Sequence, residues 1–110
     1  LDIDYFDLLE QDINTYSELG SVYVTWDLNS RIGHKPDFIV HDNTSSFDDD
    51  DYMPDKYLSR ASCDNKCNSF GLRLIELCKS LCMRVVNGRL YHDFDVGAYT
   101  FVNNNNNNTC

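Results

Sequence analysis

The residues best suited to chemistry in this sequence are Asp27 and Asn29, which lie two positions apart at the end of a short apolar run. If the chain is still extended there, both side chains point to the same side and can face one pocket. A carboxylate can orient a water molecule or bind a metal ion, and an amide can donate to a phosphate oxygen without adding negative charge. The same spacing is also common in turns, where Asp and Asn hydrogen-bond to nearby backbone. From the spacing alone, the turn is the favoured interpretation.

Four of the five cysteines form two closely spaced pairs, Cys63 with Cys67 and Cys78 with Cys82. Zinc sites use cysteine pairs at short spacing, so a zinc site is one hypothesis. Cys78 and Cys82, however, are one helical turn apart on an apolar stripe, where small buried cysteines are ordinary core residues. We favour the core interpretation. Because the sequence shows no secretion signal, we also expect the thiols to be reduced.

An acidic run at residues 48–51 and three isolated histidines complete the candidates. The run could attract Ca²⁺ or Mg²⁺, but it lacks the alternating ligands and the glycine of a calcium-binding loop. A solvated acidic loop is therefore the favoured interpretation. His34, His41 and His92 have no serine–aspartate context, which is typical of surface histidines rather than general bases.

Two amphipathic helices are predicted to position these residues. The first spans residues 4–20, because apolar residues recur there at spacings of three and four, with Asp4 able to cap the start and Gly20 placed to end the helix. The second spans about residues 69–82, with Asn68 or Ser69 as its cap. The apolar stripes consist of Phe6, Leu9, Ile13, Tyr16 and Leu19 in the first helix, and of Leu74, Leu77, Cys78 and Leu81 in the second.

Short runs of β-branched and aromatic residues predict strands at 22–26, 38–40, 84–87 and 99–102. The first of these follows a helix and ends in the polar turn that holds Asp27, which is where α/β folds place their chemistry. Residues 34–65 are predicted to form a long acidic loop, and residues 103–110 are a low-complexity, Asn-rich tail. The predicted fold class is therefore α/β.

The overall charge limits the choice of partners. The formal net charge is −9, which is the wrong sign for holding a nucleic-acid backbone by counterion release. Any DNA contact would need basic surface from elsewhere, or divalent cations that offset the acidic residues. No stretch approaches the roughly 20 apolar residues of a membrane span, and the N-terminus does not resemble a signal peptide. We expect an intracellular protein whose sequence, starting without Met, begins within a longer chain.

Beyond the acid–amide pair, several short motifs follow in a fixed order. They are D-x-N-x-R-x-G at 27–33, K-P-D-F-I at 35–39, R-x-S-x-D at 60–64, N-x-x-G at 68–71, L-I-E-L-C at 74–78, V-V-N-G-R at 85–89 and Y-T-F at 99–101. In order and spacing they resemble the endonuclease domain of non-LTR retrotransposons, a reverse transcriptase-associated member of the endonuclease/exonuclease/phosphatase superfamily. The resemblance covers almost the whole chain up to Val102.

This resemblance implies both an activity and a fold. Asp27 would orient or deprotonate the attacking water beside a bound Mg²⁺, with Mn²⁺ as the alternative metal. Asn29 would contact the scissile phosphate, and Thr100 would be a supporting polar residue. The activity would be Mg²⁺-dependent hydrolysis of a DNA phosphodiester, which nicks target DNA in the nucleus to prime reverse transcription. Residues 1–102 would form the C-terminal half of a two-layer β-sandwich flanked by helices.

Three departures from the family pattern predict that the chain alone is inactive. Trp26 replaces the glycine before the aspartate, residues 103–108 replace the approach to an Asp-Tyr pair and a Ser-Asp-His motif, and the metal-binding glutamate has no counterpart. Most of the groups that position water, metal and leaving group are then missing. Half a sandwich would also leave a sheet face uncovered, which predicts self-association. The rival hypothesis is a non-enzymatic acidic module that binds a basic protein or cations through residues 48–51.

Overall fold

The computed structural model describes residues 3–42 and 54–100, together with the backbone of two short strands beyond them. Two α-helices, α1 (Tyr5–Ser17) and α2 (Ser69–Ser80), are followed by a 3₁₀ turn at Tyr91–Asp93. Strands β1 (Val102–Asn103) and β2 (Asn108–Thr109) pair antiparallel, with Val102 opposite Thr109. None of the helices in these described ranges is long and apolar enough to cross a membrane.

Helix α1 begins where the sequence predicts and ends somewhat earlier. The Asp4 carboxylate accepts a hydrogen bond from the Phe6 amide at 2.9 Å, which satisfies one of the donors that a helix start leaves unpaired. Phe6 and Ile13 are buried, whereas Leu19 lies beyond the helix and is 83% exposed. The helix therefore keeps only the first part of its predicted apolar stripe inside.

Helix α2 confirms the predicted element and its cap. The Asn68 side chain accepts a hydrogen bond from the Gly71 amide at 2.7 Å, and Leu77 and Cys78 on the apolar stripe are buried. The two helices pack against each other through a small core of Phe6, Ile13 and Leu77. Partly buried residues extend this core on both sides: Leu9, Val22, Val24, Leu74, Leu81 and Met83.

The predicted α/β sandwich is wrong. Within residues 3–42 and 54–100 there is no sheet, and the only strand-like pairing is a single antiparallel bridge between Ile32 and Cys67. Residues 22–26 keep the alternation of a strand, with Val22 and Val24 packed against the helical core and Tyr23 86% exposed, but no partner strand from the described residues lies beside them. Alternation reports which side is buried, whereas a sheet also requires backbone hydrogen bonds to another strand.

The other predicted strands differ from the structure in the same way. Residues 38–40 and 84–87 form turns and irregular chain, although Phe38 is buried and meets the Tyr57 ring edge-on at 5.3 Å between ring centroids. Of residues 99–102, Tyr99 and Thr100 are not in a strand, Val102 begins β1, and residue 101 lies outside the described residues. Residues 3–42 and 54–100 thus form two α-helices and a 3₁₀ turn joined by irregular segments.

A buried ion pair between Asp37 and Arg89 ties these irregular segments together. The two guanidinium Nη atoms donate to the two Asp37 carboxylate oxygens at 2.7 Å each, and the Val85 amide donates to Asp37 at 2.8 Å. Arg89 also donates to the carbonyl oxygens of Val85, Leu58 and Ser59. Asp37 is fully buried and Arg89 is 8% exposed. These side-chain hydrogen bonds, rather than the backbone hydrogen bonds of a sheet, connect the segments around residues 37, 58 and 85.

Candidate functional site

The Asp27–Asn29 segment forms a turn rather than the end of a strand. The Asn29 amide donates a hydrogen bond to the Asp27 carboxylate at 3.0 Å, and Asn29 has a φ of 49°. Asn adopts this left-handed conformation more readily than most residues. Both residues are exposed. The turn that the spacing alone favours is therefore present. In it, the Asp27 carboxylate accepts a hydrogen bond from the backbone of Asn29.

The turn is attached to the start of α2 by one side chain, that of Asn68. Its amide nitrogen donates to the Asn29 carbonyl oxygen at 2.8 Å, and its oxygen accepts from the Arg31 amide at 3.0 Å. The backbone of Asn68 also donates to the Arg31 carbonyl oxygen at 3.0 Å. The sequence predicts Asn68 only as a helix cap, because nothing in a local pattern indicates a contact with a residue 39 positions away.

An ion pair between Arg31 and Asp64 supports the turn from the other side. Arg31 donates from Nε and Nη2 to the two oxygens of Asp64 at 2.7 and 2.8 Å, a bidentate arrangement. The Arg31 hydrogen bond and the Lys66 backbone amide lower the pKa of the Asp64 carboxyl, against the opposing effect of burial. Asp64 is therefore ionised and paired with Arg31. Both residues belong to motifs of the family resemblance, but the sequence does not show that they pair.

Thr100 lies on a separate segment, whose backbone is hydrogen-bonded to the Asp93 side chain. The Asp93 carboxylate accepts hydrogen bonds from the amides of Ala98 at 2.7 Å and Gly88 at 2.6 Å, and these bonds lower its pKa. The Tyr99 hydroxyl donates to the Cys63 carbonyl oxygen at 3.0 Å. Thr100 itself is exposed. Asp93 thus fixes the backbone of the segment that leads to Thr100.

All three predicted site residues line the same open groove, which has a volume of about 1140 Å³. Asp27 and Asn29 enter it from the turn, and Thr100 enters it from the segment that follows Asp93. The rest of the lining is largely apolar, including Val22, Trp26, Leu74 and Tyr99. An acid, an amide and a hydroxyl from residues that are far apart in the chain therefore line one groove.

The donor set at the turn suits Mg²⁺ only in part. Mg²⁺ prefers oxygen ligands and commonly takes one or two carboxylates, with water and substrate phosphate completing its shell. Asp27 can supply one carboxylate, whereas Asp64 is paired with Arg31. Among the described residues, no three His, Cys, Asp or Glu side chains cluster closely enough to hold a metal ion.

The other sequence candidates are dispersed. Cys63, Cys67 and Cys82 are exposed, while Cys78 is buried in α2, and that burial raises the pKa of its thiol to about 11. The three histidines, His34, His41 and His92, are all exposed. The acidic run at 48–51, on which the binding-module hypothesis depends, lies outside the described residues.

Comparison with protein-family models, with curated proteins and with solved structures gives no match.

Proposed function

We propose that this chain supplies the water-orienting aspartate and the phosphate-contacting asparagine for Mg²⁺-dependent hydrolysis of a DNA phosphodiester. The proposal rests on the resemblance of its ordered motifs to non-LTR retrotransposon endonucleases. The observation that supports it best is the position of Asp27, Asn29 and Thr100 on one groove. These three residues carry the roles that the resemblance implies, and they come from two distant parts of the sequence.

Each residue has a role that its chemistry permits. The exposed Asp27 carboxylate can accept a proton or a hydrogen bond from the attacking water. The Asn29 side-chain amide can donate to a non-bridging phosphate oxygen, and the Thr100 hydroxyl, on another segment that lines the groove, has the same capacity. Mg²⁺ bound beside Asp27 would supply positive charge to the phosphate.

These 110 residues by themselves are proposed not to cut DNA. Two carboxylates among the described residues line the groove, and only that of Asp27 is available for a metal or for water, because Asp64 is paired with Arg31. The net charge of −9 also opposes binding to a polyanion. The working enzyme would therefore be a larger domain that supplies further metal ligands and basic surface, and that acts on nuclear DNA.

The test is a hybrid domain, in which residues 3–102 replace the matching segment of an intact endonuclease of the resembled family. We expect the hybrid to nick supercoiled plasmid with Mg²⁺ and to stop in EDTA. Asp27→Ala should reduce nicking on the order of a thousandfold or more, as removal of a group acting on the attacking nucleophile does in other hydrolases. The isolated chain, assayed in parallel, should leave the plasmid supercoiled.

Asp12→Ala is the matched control, because Asp12 is exposed on α1 and does not line the groove. It should nick like the unsubstituted hybrid. A hybrid that unfolds cooperatively but does not nick would overturn the proposed function. Mg²⁺-dependent nicking by the isolated chain, lost in Asp27→Ala, would keep the function and overturn its dependence on a larger domain.

A further inference from the structure

The first turn of α2 is built to receive residues 29–31. The side chain of Asn68 makes three hydrogen bonds, and they serve two different purposes. Its oxygen accepts from the Gly71 amide at 2.7 Å and from the Arg31 amide at 3.0 Å, whereas its nitrogen donates to the Asn29 carbonyl oxygen at 2.8 Å. A helix cap needs only the first of these bonds. The other two hold the loop.

Gly71 is independent evidence that residues 29–31 pack closely against α2. A Cβ atom added at Gly71 would lie 1.9 Å from the carbonyl oxygen of Arg31. Any side chain at this position would therefore push the loop away from α2. The backbone of residue 31 can reach the helix only because residue 71 is glycine.

Asn29 links this contact to the proposed catalytic aspartate. Its carbonyl oxygen is bonded to Asn68 and its amide is bonded to the Asp27 carboxylate, so the same residue is fixed on both sides. Asn29 also has a left-handed backbone, which costs free energy unless contacts maintain it. Loss of the bond from Asn68 should release Asn29 and, with it, the direction of the Asp27 carboxylate.

We infer that Asn68 is a positioning residue, which sets the orientation of Asp27 and Asn29 through its side-chain nitrogen. The inference rests on the proposed function for its catalytic meaning, but the positioning itself is a property of this chain. The competing explanation is that Asn68 only caps α2. The two explanations differ in which half of the side-chain amide matters.

Asn68→Asp separates the two explanations, because aspartate keeps the accepting oxygen and the capping ability but cannot donate to the Asn29 carbonyl. On the ¹⁵N-labelled full chain, we expect protection of the Gly71 amide from hydrogen exchange to persist, while the amides of residues 28–30 become mobile by ¹⁵N relaxation. Asn68→Ala should lose both properties. Asn14→Asp, the same change at an exposed position of α1, should lose neither.

Kinetics in the hybrid domain then test the catalytic consequence. Asn68→Asp should lower kcat on the order of tenfold or more with KM little changed, since misplacing a catalytic group affects the transition state more than binding. An Asn68→Asp variant with residues 28–30 still rigid, or with unchanged kcat in a hybrid that nicks, would overturn the positioning role. A folded hybrid that never nicks would instead overturn the proposed function, and the relaxation measurement would still decide the positioning role.

Discussion

At the scale of single residues, the buried Asp37–Arg89 pair connects several irregular segments of the chain. Arg89 directs all of its side-chain nitrogens to Asp37 or to backbone carbonyl oxygens. A buried ion pair adds little net stability compared with apolar residues, but removal of one partner leaves a buried charge without compensation. The consequence of losing Asp37 should therefore be large even though the pair itself contributes little.

Asp37→Asn is expected to lower the free energy of unfolding by about 3 kcal/mol at neutral pH, because the Arg89 charge would stay buried without its counter-charge. Burial acts to raise the pKa of Asp37, but the hydrogen bonds from Arg89 and Val85 outweigh it and lower the pKa. A lowered folded-state pKa gives stability that is present above the unfolded value of about 3.9 and is lost as the pH falls through the folded-state pKa. The difference between variant and wild type should thus shrink in acid.

Urea unfolding from neutral pH to below pH 4 measures this difference, and Asp12→Asn on the exposed face of α1 is the isosteric control. The control should match the wild type throughout. A gap between Asp37→Asn and wild type that stays constant down to the lowest pH would contradict the assigned charge on Asp37.

A second prediction at this scale concerns the reactivity of the Cys78 thiol. The residue is 4% exposed and burial raises the pKa of its thiol to about 11, so almost no thiolate is present near neutral pH. In the native chain at pH 8, iodoacetamide should modify Cys63, Cys67 and Cys82 and spare Cys78 until denaturant is added. Peptide mass mapping gives the answer. Modification of Cys78 at the rate of the exposed thiols would show that α2 does not pack as described.

At the scale of elements, the sequence predicts helices well and pairing between segments poorly. The caps Asp4 and Asn68 and the starts of α1 and α2 follow from local signals, because a helix makes its hydrogen bonds within a few residues. The apolar alternation of residues 22–26 is also real, since Val22 and Val24 pack against the helices. It does not establish a strand, because the required partner must come from elsewhere in the chain.

In the candidate site, too, the sequence predicts the local feature but not the contacts with distant residues. The types and spacing of Asp27 and Asn29 single out the turn, and the turn is present. The contacts that fix it come from Asn68 and Asp64, which lie more than 30 positions away. No local periodicity carries such information. The resemblance names Asn68 and Asp64 as motif positions. It does not indicate that Asn68 binds residues 29–31 or that Asp64 pairs with Arg31.

At the scale of the whole molecule, the described residues leave much apolar surface in water. The large apolar side chains with the greatest exposure are Tyr5, Leu19, Tyr23, Trp26, Tyr57 and Tyr91, each at least 77% exposed. Trp26 and Tyr23 also line the groove that holds the proposed site residues. Exposed apolar side chains along a groove are typical of an interface. The self-association first expected from an uncovered sheet is therefore expected instead from this groove.

Trp26 is the sole tryptophan and reports on that expectation directly. At low concentration its emission should resemble that of tryptophan in water, because the side chain is 82% exposed. As the concentration rises, association through the groove should shift the emission to shorter wavelength while sedimentation velocity shows a larger species. Trp26→Ser should weaken that association, whereas Tyr91→Ser, which changes an equally exposed aromatic residue outside the groove lining, should not. A species that remains monomeric at every concentration, with unshifted emission, would mean that the apolar groove does not drive association between copies of this chain.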